Sequence, residues 1–121
     1  MTNRPEPISK DERKGRIARL RAAMQAAGAD AVLLGSTTSL AYFTGLVWHQ
    51  SERLVGALIT ADSLTYIAPA FEVSKIETLD RLNGDIAAWD EHEDPAALTA
   101  KLLGQGRTLA LDDALPFALY S

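Results

Sequence analysis

Three residues in the stretch YFTGLVWHQSER (residues 42–53) could act together in recognition. Trp48 offers a large amphipathic ring, His49 can take up or release a proton near neutral pH, and Arg53 can grip a carboxylate through two parallel hydrogen bonds. They follow Gly45 in a predicted loop and stand just before an apolar run, which suits a surface that meets a substrate or partner outside the chain. The same residues also fit a purely structural role, with Trp48 packed on a sheet edge, His49 in solvent and Arg53 paired with Glu52 or Glu72. Residue types alone leave both readings open.

Other constellations carry less. DEHED (residues 90–94) is the densest group of carboxylates and imidazole, but consecutive side chains point in different directions and Asp94 is placed to cap a helix, so an exposed acidic loop is expected. The two histidines, His49 and His92, are far apart, and no metal ligand is assigned. LLGSTTS (residues 33–39) passes from strand to helix, yet Ser36 lacks the glycine on its far side that a nucleophile elbow requires. A single glycine without a following lysine is also a weak phosphate cradle. With no cysteine, thiol nucleophiles, disulfides and zinc ribbons are excluded. No residue of this chain is assigned a catalytic role.

The totals set the frame for these groups. At 121 residues the chain is read as one domain spanning 1–121, and its 47% hydrophobic and 23% charged content is that of a globular protein. A formal charge of -4 gives no general attraction to nucleic acid. The polar N-terminus resembles no secretory signal and no window is apolar enough to span a membrane, so a soluble cytoplasmic protein is expected, with neither nucleic acid nor membrane as partner.

The elements that must position the loop can be read from caps and periodicity. Ser9 and Glu12 form a capping box for a helix whose apolar stripe is Ile17, Leu20, Met24 and Ala27, stopped by Gly28. Its basic residues Lys10, Arg13, Lys14, Arg16, Arg19 and Arg21 are expected to form a solvated face. AVLLG (31–35) reads as a buried strand, and a short helix follows, capped by Ser36 or Thr37, carrying Leu40 and Phe43, and ended by Gly45. LVGALIT (54–60) and LTYIA (64–68) read as a hairpin around ADS. Pro69 ends the second strand, and Phe71, Val73, Ile76, Leu79 and Leu82 predict a helix stopped at Asn83 and Gly84. DIAAW (85–89) and TLALD (108–112) read as strands on either side of a helix with Asp94 as cap, Pro95 in its first turn, a Leu98, Leu102 and Leu103 stripe, and Gly104 as stop. DALPFALYS (113–121) starts like a further helix cut in mid-pattern. Mixed strands and helices with a central hairpin imply an α/β fold with a mixed sheet covered by helices; three strands with a hairpin followed by two helix-linked strands resemble the ribonuclease H-like arrangement. A metal-dependent nuclease would need carboxylates on the strands, and AVLLG has none, with Asp30 only at its start.

The run RIARLRAAMQAAGADAVLLGSTTSLAYFTG, the ER before the hairpin, PAFE, WDEHEDP and LALDDALP, in that order, resembles the N-terminal domain of the creatinase and prolidase family from about Arg16 to Pro116. The resemblance implies a ribonuclease H-like domain with a mixed sheet of five or six strands, non-catalytic in itself. It would precede a C-terminal pita-bread catalytic domain, absent from this chain, in which two divalent metal ions activate water to hydrolyse the bond before a proline. It implies no cofactor in this segment and no activity of the segment alone. The implied partners are that catalytic domain, further copies in a dimer or larger homo-oligomer, and a proline-containing peptide as substrate of the parent. By motif position Arg53 matches an arginine that holds substrate across a subunit boundary in creatinase-like members, and Trp48 and His49 are looser matches. The parent would be an Xaa-Pro dipeptidase or aminopeptidase P; a creatinase-like amidinohydrolase and a free-standing interaction module are the alternatives.

Overall fold

The computed structural model describes residues 9–35, 38–48, 55–90, 92–104 and 107–111. Helix α1 (Lys10–Ala27) begins where the Ser9 hydroxyl accepts a 3.1 Å hydrogen bond from the Glu12 amide. It ends at Gly28, whose φ of 75° lets its amide return to Gln25. Then come β1 (Ala31–Leu34), α2 (Thr38–Thr44), β2 (Gly56–Thr60) and β3 (Leu64–Pro69), followed by a 3₁₀ turn (Ala70–Glu72), α3 (Val73–Thr78), β4 (Asp85–Trp89), α4 (Pro95–Leu103) and β5 (Leu109–Leu111). The expected order of elements is observed. Ser36, Thr37 and residues 112–121 lie outside the described residues, so the proposed cap of α2 and the last helix do too.

The five strands among the described residues form one mixed sheet in the order β4-β3-β2-β1-β5. The central pairs β1–β2 and β2–β3 are antiparallel, and the outer pairs β3–β4 and β1–β5 are parallel. The short ADS connection makes the hairpin, closed by the Thr60 amide on the Ser63 carbonyl at 3.0 Å. The parallel pairs need crossovers, which α3 and α4 help to supply. Helices cover both faces, so β2 can be buried along almost its whole length. On one face Ala57, Ile59, Tyr66 and Ala68 pack with Ile17, Met24, Leu40 and Ile76 of α1, α2 and α3. On the other, Ala31, Leu33, Leu58, Ile67 and Trp89 meet Leu98 and Leu103 of α4. The period-two alternation of the strands thus feeds two cores.

Several expectations need correcting. Helix α3 stops at Thr78 instead of running to Leu82, because the Leu82 backbone is engaged elsewhere: its amide donates to the Thr44 carbonyl at 2.8 Å and its carbonyl accepts from the Tyr66 hydroxyl at 2.7 Å. Phe71, placed on the apolar stripe by periodicity, lies in the 3₁₀ turn and is 61% exposed. Ala27 is exposed, and Leu102 is 41% exposed while Thr99 is the buried residue of α4. The basic face of α1 is not simply solvated. Arg13 donates to the Ala41 and Tyr42 carbonyls, Arg16 to the Tyr42 carbonyl at 2.8 Å and to Glu12, and Arg21 to the Thr60 and Ser63 carbonyls at 2.7 and 3.0 Å. The last carbonyls of a helix have no partner within it, so Arg13 and Arg16 supply the C-terminal capping of α2.

Candidate functional site

Because only β2 runs against the others, β1, β3, β4 and β5 all point their carboxyl ends to one pole of the sheet. In open α/β sheets this is the pole where ligands and partners are met. Several connections emerge there: the 3₁₀ turn with exposed Phe71, the segment from Asp90 to Asp94, and the chain re-entering at Val55, since Gly56 pairs with Ile67 and Ala57 with Leu34.

The approach to the connection between α2 and β2 is fixed from within. The Thr44 hydroxyl donates to the Leu40 carbonyl at 2.7 Å and accepts from the Leu46 amide at 3.1 Å, while Gly45, at φ 85°, turns the chain out of α2. Leu46 is then buried, Val47 is 76% exposed and Trp48 is 8% exposed. The Trp48 ring belongs to the core on the α1, α2 and α3 side, and the Lys75 ammonium of α3 lies 5.0 Å from its centroid, within cation–π range. Trp48 therefore takes the packed position that a structural role requires. His49 and Arg53 lie outside the described residues. Beyond them Val55 is buried, and Gly56 lies so close to the Leu34 carbonyl that a Cβ would stand 2.2 Å from its oxygen.

Beneath this approach lies a buried polar junction. Tyr66 has no exposed surface, and burial pushes its hydroxyl up to about 12, against the opposing pull of Thr44 and of the cations Arg81 and Arg13. It therefore remains a donor to Leu82 at neutral pH. The Arg81 guanidinium lies 5.1 Å from the Tyr66 ring centroid.

In the acidic segment Asp90, Glu93 and Asp94 are engaged by nearby backbone. The Asp90 amide donates to Glu93 Oε1 at 3.0 Å, the Glu93 amide donates to the Asp90 carbonyl at 2.8 Å, and Asp94 Oδ1 accepts from the Ala96 amide at 3.0 Å as the cap of α4. His92 is exposed. Among the described residues no group of three or more His, Asp or Glu side chains converges as metal ligands would. Asp30 accepts a 2.7 Å hydrogen bond from the Thr108 amide and so ties β1 to β5. Sequence reasoning missed Lys75, Thr44 and Tyr66; the position of Thr44 just before the glycine that ends α2 was the one available signal.

The description Creatinase/Prolidase N-terminal domain belongs to the family model that matches residues 16–121. In structure the chain is similar to the dipeptidase PepE from Mycobacterium ulcerans, with a TM-score of 0.81 and 23% identity over 92% of this chain and 31% of that one. It is similar to a prolidase from Thermococcus sibiricus, with a TM-score of 0.75 and 25% identity over 95% of this chain and 31% of that one. The Creatinase/Prolidase N-terminal domain of an X-Pro dipeptidase from Streptococcus pyogenes gives a TM-score of 0.71 at 17% identity, over 88% of this chain and 82% of that one. The chain thus spans under a third of the length of the first two. No curated protein sequence matches it.

Proposed function

Since this chain belongs to the creatinase/prolidase N-terminal domain family, we propose that it is the non-catalytic N-terminal domain of an Xaa-Pro metallopeptidase of the dipeptidase or aminopeptidase P type. In that role it helps copies of the parent assemble and lends a loop to a neighbouring subunit's active site. The observation that carries this reading is the family match along residues 16–121, together with the shared fold of the prolidase from Thermococcus sibiricus. The cytoplasm is the proposed compartment; no described helix is long and apolar enough to cross a membrane.

In this reading the pair of divalent ions belongs to the C-terminal catalytic domain, where bound metal supplies an activated water for hydrolysis. The described residues of this chain do not fit such a pair. What this chain contributes is binding and orientation. Arg53 supplies a fork for the carboxylate of a proline-containing peptide and His49 a further donor; in the sequence they fall between Trp48 and Val55, both of which are buried.

The test compares the parent polypeptide, carrying its downstream segment, with the 121-residue chain on Xaa-Pro dipeptides and on creatine. Hydrolysis of the dipeptides by the parent, none by the chain alone, and a raised KM or lowered kcat in the parent's Arg53→Ala variant are expected. Dipeptide turnover by the chain alone, or creatine turnover by the parent in place of dipeptides, overturns the reading. Unchanged kinetics in Arg53→Ala removes Arg53 from the site.

A further inference from the structure

Helix α1 turns two different basic faces to its surroundings. Arg13 and Arg16 face α2, whereas Lys10, Lys14 and Arg21 stand with Ile17 at spacings of four, three and four, which puts them on one side of the helix. This second face borders a recess of about 300 Å³ whose apolar floor is Ile17, Leu64 and Leu82. Leu64 opens β3 and Leu82 precedes β4, so the recess lies at the amino ends of those strands.

The ion pair found among the described residues is Arg16–Glu12, on the other side of α1, so neither Lys10 nor Lys14 has a described carboxylate at ion-pair distance, the nearest in sequence being Asp11. These two lysines lie four residues apart on one helix and repel each other. Arg21 is held in place, because its Nε and Nη2 donate to the Thr60 and Ser63 carbonyls of the hairpin turn, which fixes its charge beside the recess. Lys10 and Lys14, one turn apart over an apolar floor and with no acid among the described lining residues, form a surface complementary to one negative charge borne on an apolar body, and Arg21 bounds the recess further along the helix. The volume lies at the lower end of the range for small-molecule pockets.

We propose that this recess binds an apolar monocarboxylate, with the carboxylate at Lys10 and Lys14 and the hydrocarbon on Ile17, Leu64 and Leu82. A free organic acid and the C-terminus of a peptide ending in a bulky apolar residue share this chemistry. The inference does not depend on the parent's being a peptidase, because none of Trp48, His49 and Arg53 lines the recess.

Amide NMR titration of the 121-residue chain tests it. The probes are benzoate, N-acetyl-phenylalanine, N-acetyl-phenylalaninamide and inorganic phosphate. Saturable shifts centred on Lys14, Leu64 and Asn83 are expected with the two carboxylates, with the amide and phosphate at least about tenfold weaker, since a charge-assisted contact is worth that much in affinity. Tighter binding of benzoate than of N-acetyl-phenylalanine assigns the recess to free acids, and the reverse order assigns it to peptide termini. The exposed pair Lys10→Ala and Lys14→Ala should weaken carboxylate binding about tenfold or more while leaving the rest of the spectrum in place. Equal binding of acid and amide, phosphate binding as tight as the carboxylates, absence of saturable shifts, or an unchanged affinity in the double variant overturns the proposal. The acid-to-amide comparison on the unaltered chain decides even if the double variant fails to fold.

Discussion

The Tyr66 hydroxyl donates a 2.7 Å hydrogen bond to the Leu82 carbonyl, sixteen residues further along the chain and inside the core. Through it the middle of β3 holds the segment after α3, while Thr44 holds the same leucine by its amide at 2.8 Å. Three elements that meet nowhere in the sequence share this one backbone unit.

Replacing Tyr66 by Phe should therefore cost about 1–3 kcal/mol, the penalty for leaving a buried carbonyl without its donor. The pH response gives a second readout. The folded-state value of the hydroxyl is raised from 10.0 to about 12, so the stability it contributes is fully present below pH 10 and is lost as pH rises through about 12. The loss amounts to about 3 kcal/mol. Urea unfolding at pH 8, 10 and 12 should show this alkaline decline in the wild type and a smaller one in Tyr66→Phe.

Arg13 joins α1 to α2 by donating to the Ala41 and Tyr42 carbonyls. Arg13→Ala should lower stability by about 1–3 kcal/mol, and Arg13→Lys should recover only part of it, because an ammonium lacks the planar fork that spans two acceptors. Denaturant midpoints of the two variants check this. Equal midpoints for Lys and Arg would reduce the contact to a point charge.

Trp48 and Lys75 separate packing from cation–π attraction. Trp48→Ala removes a ring that is 8% exposed and should cost about 3–5 kcal/mol. Lys75→Ala, which removes the ammonium over the ring together with its methylene stem, should cost about 0.5–1 kcal/mol. Thermal unfolding of both variants tests the ranking.

Gly56 admits the Leu34 carbonyl where a Cβ would stand 2.2 Å from the oxygen. Gly56→Ala should force β1 and β2 apart and destabilise the chain by about 1–3 kcal/mol. Loss of hydrogen-exchange protection confined to Leu34, Ala57 and their neighbours would locate the damage.

Much of this fold was legible because its ends are marked. Ser9 with Glu12, Gly28, Asp94 with Pro95, and Gly104 each announce a helix boundary by local chemistry, and the structure places caps at those positions. The α3 boundary had no such mark, since its cause is a hydroxyl on β3 and a carbonyl on α2, which no helical period can reveal. The basic run on α1 failed for a similar reason: a guanidinium facing water and one facing a carbonyl of α2 have the same sequence signature. For Trp48, residue type allowed contact and burial equally, and the packing of α3 decided where the ring lies. Of the other loop groups, His49 and Arg53 fall outside the described residues, and the resemblance still carries their assignment.

The clasp between Asp30 and Thr108 joins positions 78 residues apart, and it seats β5 against β1. Closing so long a loop is entropically slower than zipping the neighbouring strands β1, β2 and β3, so β5 docks late in folding. Until it does, AVLL presents an uncharged, unpaired backbone edge to every other nascent chain. The interval between synthesis of the central strands and arrival of β5 is thus the period in which this protein is most exposed to aggregation.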